Sequence, residues 1–141
     1  MNVEIVTYAE CHFDGVDALW REAFPDDAPR NRAKVAIPIK LAFQPDLPLV
    51  ALDDGRVVGS VAAGFDGYRG WLNRVAVLQS HKRLGIGTKL VREAEARLAA
   101  LGCAKINLQI TGVNKAVAEF YLRLGYSVED RISVGKNVER P

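Results

Sequence analysis

The segment VAVLQSHKRLGIGTKLV, Val75–Val91, decides how the fold is interpreted. An apolar run gives way to the basic residues His81–Arg83, and Gly85 and Gly87 then stand one residue apart before an amphipathic pattern resumes. The first N–H groups of a helix have no intrahelical partner and carry partial positive charge, so they attract phosphate. Glycine lacks a Cβ atom and lets a diphosphate approach those groups closely. The segment therefore predicts a phosphate-binding turn, although a Gly-x-Gly pair alone is more often a plain strand-to-helix turn.

The spacing of the glycines excludes two common nucleotide-binding loops. The dinucleotide-binding fingerprint Gly-x-Gly-x-x-Gly would need a glycine where Leu90 stands. The NTPase loop needs an earlier glycine and the order Gly-Lys-Ser/Thr, whereas Gly87 is followed by Thr88 and then Lys89. Neither pattern fits this chain.

The composition is typical of a single globular domain. Of the 141 residues, 49% are hydrophobic and 26% are charged, and the formal net charge is +2. This charge is too small to indicate nucleic-acid binding, and no apolar run approaches the roughly 20 residues that a membrane span requires. The start MNVEIVTYAE lacks the features of a secretory signal, so we expect a cytoplasmic protein. Cys11 and Cys103 are far apart and have no metal-ligand spacing around them, so we expect two buried free thiols.

Hydrophobic periodicity predicts a series of strands and helices before the glycine segment. We expect a strand over Val3–Tyr8 and helices over Phe13–Phe24 and Asn31–Phe43. Pro38 predicts a kink or a split in the second helix. Three apolar runs separated by turn residues within Leu47–Val77 predict an antiparallel meander.

Two strand-and-helix units follow. A long amphipathic helix ends at Gly102, and alternation over Ala104–Ile110 predicts a strand. Asn114 is the predicted N-cap of a helix closed by Gly125, whose buried stripe we expect to be Val117, Phe120, Tyr121 and Leu124. The remaining YSVEDRISVGKNV, residues 126–138, is interpreted as one or two final strands. Strands and helices in this order predict an α/β (α+β) protein with one mixed sheet.

Two motifs carry a resemblance to a known family. Lys82-x-x-Gly85-x-Gly87, between a strand and an amphipathic helix, resembles the acetyl-CoA signature of the GNAT acyltransferases, which usually begins with arginine or glutamine. Lysine at the first position departs from that pattern but keeps the charge. NKAVAEFYLRLGY, Asn114–Tyr126, resembles the second signature of the family, and the tail EDRISVGK is similar to that of small bacterial YpeA-like acetyltransferases. The resemblance covers the chain from about Leu47 onward.

The resemblance implies a fold and a cosubstrate. Residues 1–141 would form one GNAT domain with a mixed, mostly antiparallel sheet of six to seven strands, splayed between strands 4 and 5, and about four helices. Acetyl-CoA would insert its pantetheine arm at the splay. Main-chain groups of Val75 and Val77 would bind the thioester and the pantetheine amides. The phosphates would lie over Lys82, Arg83, Leu84, Gly85, Ile86, Gly87 and Thr88.

The resemblance also implies the residues of the chemical step. Asn114 would lie near the pantetheine arm, and Tyr121 would act as the general acid that protonates the departing thiolate. From spacing alone, Tyr121 would instead be a core aromatic beside Phe120. In related ribosomal-protein acetyltransferases a glutamate base occupies the position of Gln109, and glutamine does not accept a proton. His81 is interpreted as a solvated surface histidine, and water relayed by Tyr68, Asp66 or main-chain carbonyls remains open as the base.

Acceptor selection would depend on the first helices and on the loop Gly64–Gly70. Asp26, Asp27 and Asp66 would attract a cationic amine, although a solvated carboxylate is the more common role for each of them. Trp20 and Trp71 would line an acceptor pocket, although core packing is the more common role of tryptophan.

The expected function is that of an acetyl-CoA-dependent N-acetyltransferase that transfers acetyl directly to a primary amine of a small molecule, protein or peptide. A covalent relay has no suitable nucleophile, since Cys103 follows the end of a helix remote from the splay. We expect no metal, no nucleic-acid partner and no membrane association, and a homodimer is left open. The alternative is a noncatalytic acyl-CoA-binding sensor or partner-binding module that keeps the cofactor groove.

Overall fold

The computed structural model describes residues 1–112 and 114–139. The chain divides into two compact units, Met1–Gln109 and Ile110–Pro141, and each is described by itself below. The predicted domain, residues 1–141, includes Val113, Arg140 and Pro141, which lie outside the described residues. A single domain therefore stays a prediction.

The first unit contains one mixed sheet. Its strands are β1 (Val3–Thr7), β2 (Pro48–Asp53), β3 (Arg56–Phe65), β4 (Arg69–Val77) and β5 (Lys105–Leu108). They lie in the order β1-β2-β3-β4-β5, and all neighbours are antiparallel except β4 and β5, which are parallel. The predicted meander is confirmed as β2, β3 and β4. The helices of this unit are α1 (Phe13–Ala23), α2 (Ala33–Phe43) and α3 (Ile86–Ala100).

Helices cover both faces of the sheet. Trp20 of α1 donates from Nε1 to Ser60 Oγ on β3 at 3.0 Å. A Cβ atom on the neighbouring Gly59 would lie 2.9 Å from Leu90 Cδ1 of α3. Because successive strand residues point to opposite faces, α1 and α3 lie on opposite sides of the sheet. The largest fully buried side chains belong to these layers: Leu19, Leu49, Ile86, Leu90, Leu98, Val16, Val50, Val58, Val61 and Val91.

The second helix differs from its sequence prediction. Residues Pro29–Asn31 form a short 3₁₀ turn, and α2 then runs from Ala33 to Phe43 with Pro38 inside it, so the predicted split does not occur. A proline removes one hydrogen bond to the carbonyl group four residues earlier, here that of Lys34. Since both residues are exposed, water can satisfy that carbonyl group.

The second unit contains α4 (Lys115–Arg123). Asn114 is its N-cap, because Asn114 Oδ1 accepts a hydrogen bond from the Val117 N–H at 3.2 Å. Gly125 follows the helix with φ of +101°. These boundaries confirm the prediction. The predicted buried stripe is only partly correct, since Tyr121 is buried but Val117 is exposed.

The strand count is lower than predicted. We expected six to seven strands, and the described residues form five, with no strand over residues 126–139. Side-chain alternation indicates a strand only where one face is buried and a neighbouring main chain accepts the ladder. Here Val128, Ile132 and Val134 are all more than four-fifths exposed, so the alternation has no core behind it.

Both cysteines are free thiols, as expected. Their predicted burial is wrong for Cys11, which is exposed, while Cys103 is half-buried. Cys11 lies in a short 3₁₀ turn, Glu10–His12, that contains no buried residue, so no core surrounds its thiol.

Gly15 provides a test of the packing between α1 and β3. A helical glycine is normally less favourable than alanine by about 0.5–1 kcal/mol. A Cβ atom on Gly15, however, would lie 2.7 Å from Val57 Cβ. We therefore expect Gly15→Ala to lower the free energy of unfolding by roughly 1–3 kcal/mol, the usual cost of overpacking, as measured by urea denaturation.

The double variant Gly15→Ala/Val57→Ala is the control. With Val57 truncated, the added methyl group gains space, so the loss caused by Gly15→Ala should shrink or reverse. An unchanged or increased free energy of unfolding in Gly15→Ala alone would contradict this packing.

Candidate active site

The carboxyl-terminal half of β4 extends beyond β5. β5 pairs with β4 only along Arg69–Leu72, so Asn73–Val77 continue past the end of that ladder. The Leu78 N–H donates to the Val58 carbonyl group on β3 at 2.9 Å. Main-chain groups alternate sides along a strand, so those of Val77 and, two residues earlier, Val75 are directed away from β3. The two residues predicted to bind the thioester therefore share the sheet edge that β5 leaves.

Arg74 gives this edge its shape. It is a non-glycine residue with φ of +56°, and the pairing of β3 with β4 shifts register beside it. Its carbonyl group accepts a hydrogen bond from Ser60 Oγ at 2.8 Å, and Ser60 Oγ in turn accepts from Trp20 Nε1. Its guanidinium group pairs with Asp27 at 2.9 Å and stacks 4.5 Å from the Phe24 ring centroid. These contacts hold a backbone conformation that is unfavourable for arginine by itself.

The same contacts assign structural roles to Trp20 and Asp27. Trp20 is buried, with its N–H bonded to Ser60, and Asp27 is paired with Arg74. They support the core-packing interpretation of Trp20. The interpretation of Asp27 as a solvated carboxylate is wrong, because its side chain is only 12% exposed and is ion-paired with Arg74. The importance of Arg74 was missed, because an arginine with positive φ leaves no pattern in a sequence.

The predicted phosphate turn leads into α3. Gly85 is the N-cap of α3 with φ of +83°, and Arg83 has φ of +65°. The helix has no side-chain cap, and its first carbonyl bond is from the Lys89 N–H to the Gly85 carbonyl group at 3.1 Å. Within the described residues, the main-chain N–H groups from Arg83 to Thr88 have no hydrogen-bond acceptor. A row of unpaired donors at a helix N-terminus is an anion-binding arrangement.

Space and charge at the turn fit a phosphate group. A Cβ atom at Gly85 would meet no other atom within 4 Å, so this residue faces open space. Lys82 and Arg83 are exposed and add positive charge, while Ile86 is buried and fixes the turn to the core. All seven residues predicted to hold the phosphates, Lys82–Thr88, are thus contiguous at one helix end.

His81 anchors the start of this turn. Its Nε2 lies 2.9 Å from Asp53 Oδ2 at the end of β2, and its Nδ1 lies 2.8 Å from Ser80 Oγ. The His81 side chain is only 12% exposed, so its interpretation as a solvated surface histidine is wrong. The hydrogen bond with His81 is the main reason that the pKa of the Asp53 carboxyl lies below its ordinary value.

Asn114 and Tyr121 belong to the second unit. The Asn114 carboxamide caps α4, and Tyr121 is buried between the rings of Phe120 and Tyr126, at centroid distances of 4.9 and 5.7 Å. Burial raises the pKa of Tyr121 to about 12. Its hydroxyl group is therefore protonated at neutral pH, as a proton donor must be. Gln109 is the last residue of the first unit and follows β5 directly.

A groove of about 620 Å³ lies beside the β4 edge within the first unit. It is lined by residues of α2, of the β3–β4 hairpin and of β4: Lys40, Phe43, Gln44, Gly64, Phe65, Asp66, Gly67, Trp71 and Asn73. The sequence analysis had selected Gly64–Gly70 and Trp71 for this role. It had also selected the first helices, but it did not single out Lys40, Phe43 or Gln44, because no motif in α2 marks individual residues as part of a site.

Residues 13–126 match the family model described as the acetyltransferase (GNAT) family. The chain belongs to this family. This membership confirms the family resemblance of the two sequence motifs. As a GNAT protein the chain is an acyltransferase. An acetyltransferase of Sodalis glossinidius is 38% identical over 92% of this chain and 91% of its own length. An acetyltransferase of Pectobacterium atrosepticum is 37% identical over 96% of each chain.

Solved structures share the GNAT fold. The aminoglycoside N-acetyltransferase AAC(6')-Iy in complex with CoA has a TM-score of 0.78 and 18% identity, over 96% of this chain and 95% of its own. Ard1 from Thermoplasma volcanium has a TM-score of 0.82 and 15% identity, over 92% of this chain and 85% of its own. At these identities the likeness confirms the GNAT fold that we predicted.

Residues 1–112 and 114–139 contain no group of three or more His, Cys, Asp or Glu side chains placed to hold a metal ion. None of their helices combines the length and the apolar character that crossing a membrane requires.

The anchor of the phosphate turn can be tested through pH. The pKa of Asp53 is lowered in the folded protein, so its contribution to stability is present above the ordinary pKa of 3.8 and is lost as pH falls through the lowered value. We expect Asp53→Asn to lower Tm at pH 6, and the difference from the wild type to shrink as pH falls to 3, as measured by differential scanning calorimetry.

Asp54→Asn is the matched control. Asp54 is exposed, and its φ of +49° is one that asparagine tolerates well. This variant should leave Tm unchanged at both pH values. A difference for Asp53→Asn that does not shrink between pH 6 and pH 3 would show that the carboxylate charge is not the cause.

Proposed function

We propose that the protein is an acetyl-CoA-dependent N-acetyltransferase that transfers the acetyl group directly to a primary amine of a small molecule, protein or peptide. The observation that carries this proposal is the row of unpaired main-chain N–H groups from Arg83 to Thr88, which follows the open β4 edge of Val75 and Val77. Family membership adds the acyl-transfer chemistry.

The residues at the turn fit the diphosphate of acetyl-CoA. The donors from Arg83 to Thr88 would bind phosphate oxygens, and Lys82 and Arg83 would neutralise part of their charge. The main-chain groups of Val75 and Val77 would extend the sheet by bonding the pantetheine amides, as a peptide does when it adds to a sheet edge. Both interactions use backbone atoms, which accounts for the tolerance of lysine at position 82.

In the transfer itself, the neutral amine nitrogen of the acceptor attacks the thioester carbonyl carbon. A main-chain N–H at the β4 edge would stabilise the oxygen on which negative charge develops. The carbon–sulfur bond then breaks, Tyr121 gives its proton to the departing thiolate, and the acceptor nitrogen releases a proton to water, from which Tyr121 is reprotonated. The products are the N-acetyl amine and the free thiol of CoA. Tyr121 is protonated at neutral pH, so a proton is available for this step, and burial makes its hydroxyl group a weaker acid than that of a free tyrosine.

The alternative is a noncatalytic acyl-CoA-binding sensor or partner-binding module. Gln109 favours it, since glutamine stands where related enzymes have a glutamate base. The two functions share cofactor binding and differ in turnover. Release of the CoA thiol in the presence of a panel of primary amines supports the enzyme, whereas saturable binding without release supports the sensor.

Acetyl-CoA binding should stabilise the protein against heat. Ligand at about 100 times its dissociation constant stabilises the folded state by roughly 2.7 kcal/mol, which raises Tm. We expect this shift for the wild type and its loss in Gly85→Glu, because the glutamate side chain would fill the open space at the turn and repel phosphate. The measurement is differential scanning fluorimetry with and without acetyl-CoA.

Gly55→Glu is the matched control for the glycine variant. Gly55 has φ of +82° and, like Gly85, has no atom within 4 Å of a built Cβ. Both substitutions therefore carry the same backbone strain, but Gly55→Glu should keep the acetyl-CoA shift. Equal acetyl-CoA-induced Tm shifts in the wild type and in Gly85→Glu would contradict phosphate binding at this turn.

Tyr121→Phe separates catalysis from packing. Removal of the hydroxyl group should leave acetyl-CoA affinity within about twofold and lower kcat by roughly 10²–10⁴-fold, the usual contribution of general acid catalysis. Stopped thiol-release assays give kcat, and the thermal shift gives affinity. Tyr126→Phe removes a hydroxyl group from a neighbouring ring and should have little effect on kcat. Comparable losses of acetyl-CoA affinity and kcat in Tyr121→Phe would show that Tyr121 packs the core and is not the general acid.

A further inference from the structure

Lys40 is a half-buried cation without an ionic partner. Its Nζ donates to Gln44 Oε1 at 2.8 Å, and no carboxylate lies within ion-pairing distance of it among residues 1–112 and 114–139. Burial lowers the pKa of Lys40. A buried charge without a counter-charge is costly, so the groove lacks a negative group beside Lys40.

Gln44 holds the ammonium group of Lys40 in a fixed place. Gln44 Nε2 donates to the Phe65 carbonyl group at 2.7 Å, and Gln44 Oε1 accepts from the Phe65 N–H at 3.2 Å. The carboxamide is thus fixed at both ends by one residue of β3. Only one of the three N–H donors of Lys40 has a recorded acceptor, so donors remain for a ligand in the groove.

Gly64 leaves the space next to that ammonium group open. A Cβ atom at Gly64 would lie 3.4 Å from Lys40 Nζ and 3.8 Å from Gln44 Oε1. Gly64 is not among the glycines with positive φ, so its backbone would accept a side chain. Because Gly64 has no side chain, a ligand in the groove can reach the ammonium group of Lys40.

The rest of the groove is apolar with one carboxylate. Trp71 lines it half-buried, and Phe43 lines it with its side chain 75% exposed. Asp66 accepts hydrogen bonds from the N–H groups of Tyr68 and Arg69 at 2.9 and 2.7 Å, and these bonds lower its pKa, so it is negatively charged at neutral pH. The groove thus offers a positive group, a negative group and aromatic surface.

The groove lies next to the predicted thioester site along the chain. Asn73 lines the groove and stands two residues before Val75, with Arg74 at positive φ between them. An amine that reaches past Asn73 would meet a thioester held at the β4 edge. Its volume of about 620 Å³ is large enough for a small molecule, and the groove is wide open to solvent.

We propose that this groove selects a free amino acid with a large apolar side chain as the acceptor, with the acceptor carboxylate bound by Lys40 beside Gly64. The side chain packs against Trp71 and Phe43, and the amine, first attracted by Asp66, is directed past Asn73. This inference rests on the proposed acetyltransferase function and adds the class of its acceptor. Lys40 acts as a specificity residue, since it binds the acceptor away from the reacting atoms.

The reaction that follows is balanced. The α-ammonium group of the amino acid loses one proton to water before it attacks, and the resulting neutral nitrogen forms the new nitrogen–carbon bond. The nitrogen then loses a second proton, the carbon–sulfur bond breaks, and the thiolate takes up one proton, so that one proton in total is released to water. The products are an N-acetyl amino acid and the CoA thiol. Acetylation removes the positive charge of the amine and with it the attraction of Asp66, which favours product release.

The test compares acceptors with and without a carboxylate. L-Phenylalanine, L-phenylalaninamide and phenethylamine share the same ring, but only the first has a carboxylate. We expect the wild type to acetylate L-phenylalanine with a kcat/KM at least about 10-fold above that of the other two, since a charge-assisted hydrogen bond is lost with them. Equal kcat/KM values for the three compounds would overturn the inference.

Variants at and around Lys40 test whether this residue causes the preference for an acceptor carboxylate. Lys40→Met should lower kcat/KM for L-phenylalanine by roughly 10- to 100-fold, mainly through KM, and leave phenethylamine unchanged. Gln44→Glu retains Lys40 but supplies an internal counter-charge, so it should weaken the same preference. Lys34→Met, an exposed position on the same helix, is the control and should change neither acceptor. Equal losses for both acceptors in Lys40→Met would overturn the assignment.

A separate readout distinguishes this inference from the proposed function. The acetyl-CoA thermal shift is measured on each sample. Absence of that shift in the wild type contradicts the acetyltransferase itself, whereas a normal shift with turnover of amines that lack a carboxylate contradicts only the acceptor class. If none of the three acceptors turns over, calorimetric titration with N-acetyl-L-phenylalanine decides: saturable binding that Lys40→Met abolishes supports the groove assignment, and no binding overturns it.

Discussion

The carbonyl group of Arg74, bonded to the buried hydroxyl of Ser60, is the interaction on which the geometry of the site depends. It holds an arginine at positive φ in the middle of β4. Without it, the strand would return to regular pairing with β3, and the main chain of Val75 would lose its orientation relative to the sheet edge. Trp20, which donates to the same hydroxyl, connects this local distortion to the core under α1.

The phosphate turn follows from a second constraint. A helix that starts without a side-chain cap leaves its first donors unpaired, and a natural protein normally satisfies them with water, a cap or a ligand. Here α3 starts at the end of an exposed basic segment, and that segment is fixed to β2 through His81 and Asp53. The donors are thus unpaired and held in position at the same time, which suits the binding of an anion.

The sequence predicts most of this architecture because its signals are local. Asn114 caps its helix, Gly85 permits the turn, and the apolar runs of the meander become β2 to β4. The errors have one origin, which is contact between residues distant in sequence. The tail, residues 126–139, alternates like a strand without pairing as one, and Pro38 lies inside a continuous helix because its exposed side tolerates it.

The site was predictable where it uses motifs and hidden where it uses tertiary contacts. The residues from Lys82 to Thr88 are adjacent in the chain, so their phosphate-binding role could be predicted from a motif and its family resemblance. Arg74 acquires its role from contacts with Ser60 and Asp27, and no spacing rule connects these three residues. Lys40 is held by its hydrogen bond to Gln44. His81 was placed in solvent because its partner Asp53 lies on a different strand.

The ammonium group of Lys40, which has no ionic partner among the described residues, also affects the stability of the whole fold. An ion-deficient groove lowers the stability of the empty protein, and a ligand that supplies the missing charge restores it on binding. Evolution tolerates such a deficit where it serves function, and the marginal stability of a domain of this size limits how many it can carry. If Lys40 binds the acceptor carboxylate as proposed, part of the stability of the fold is given up for selectivity between acceptors.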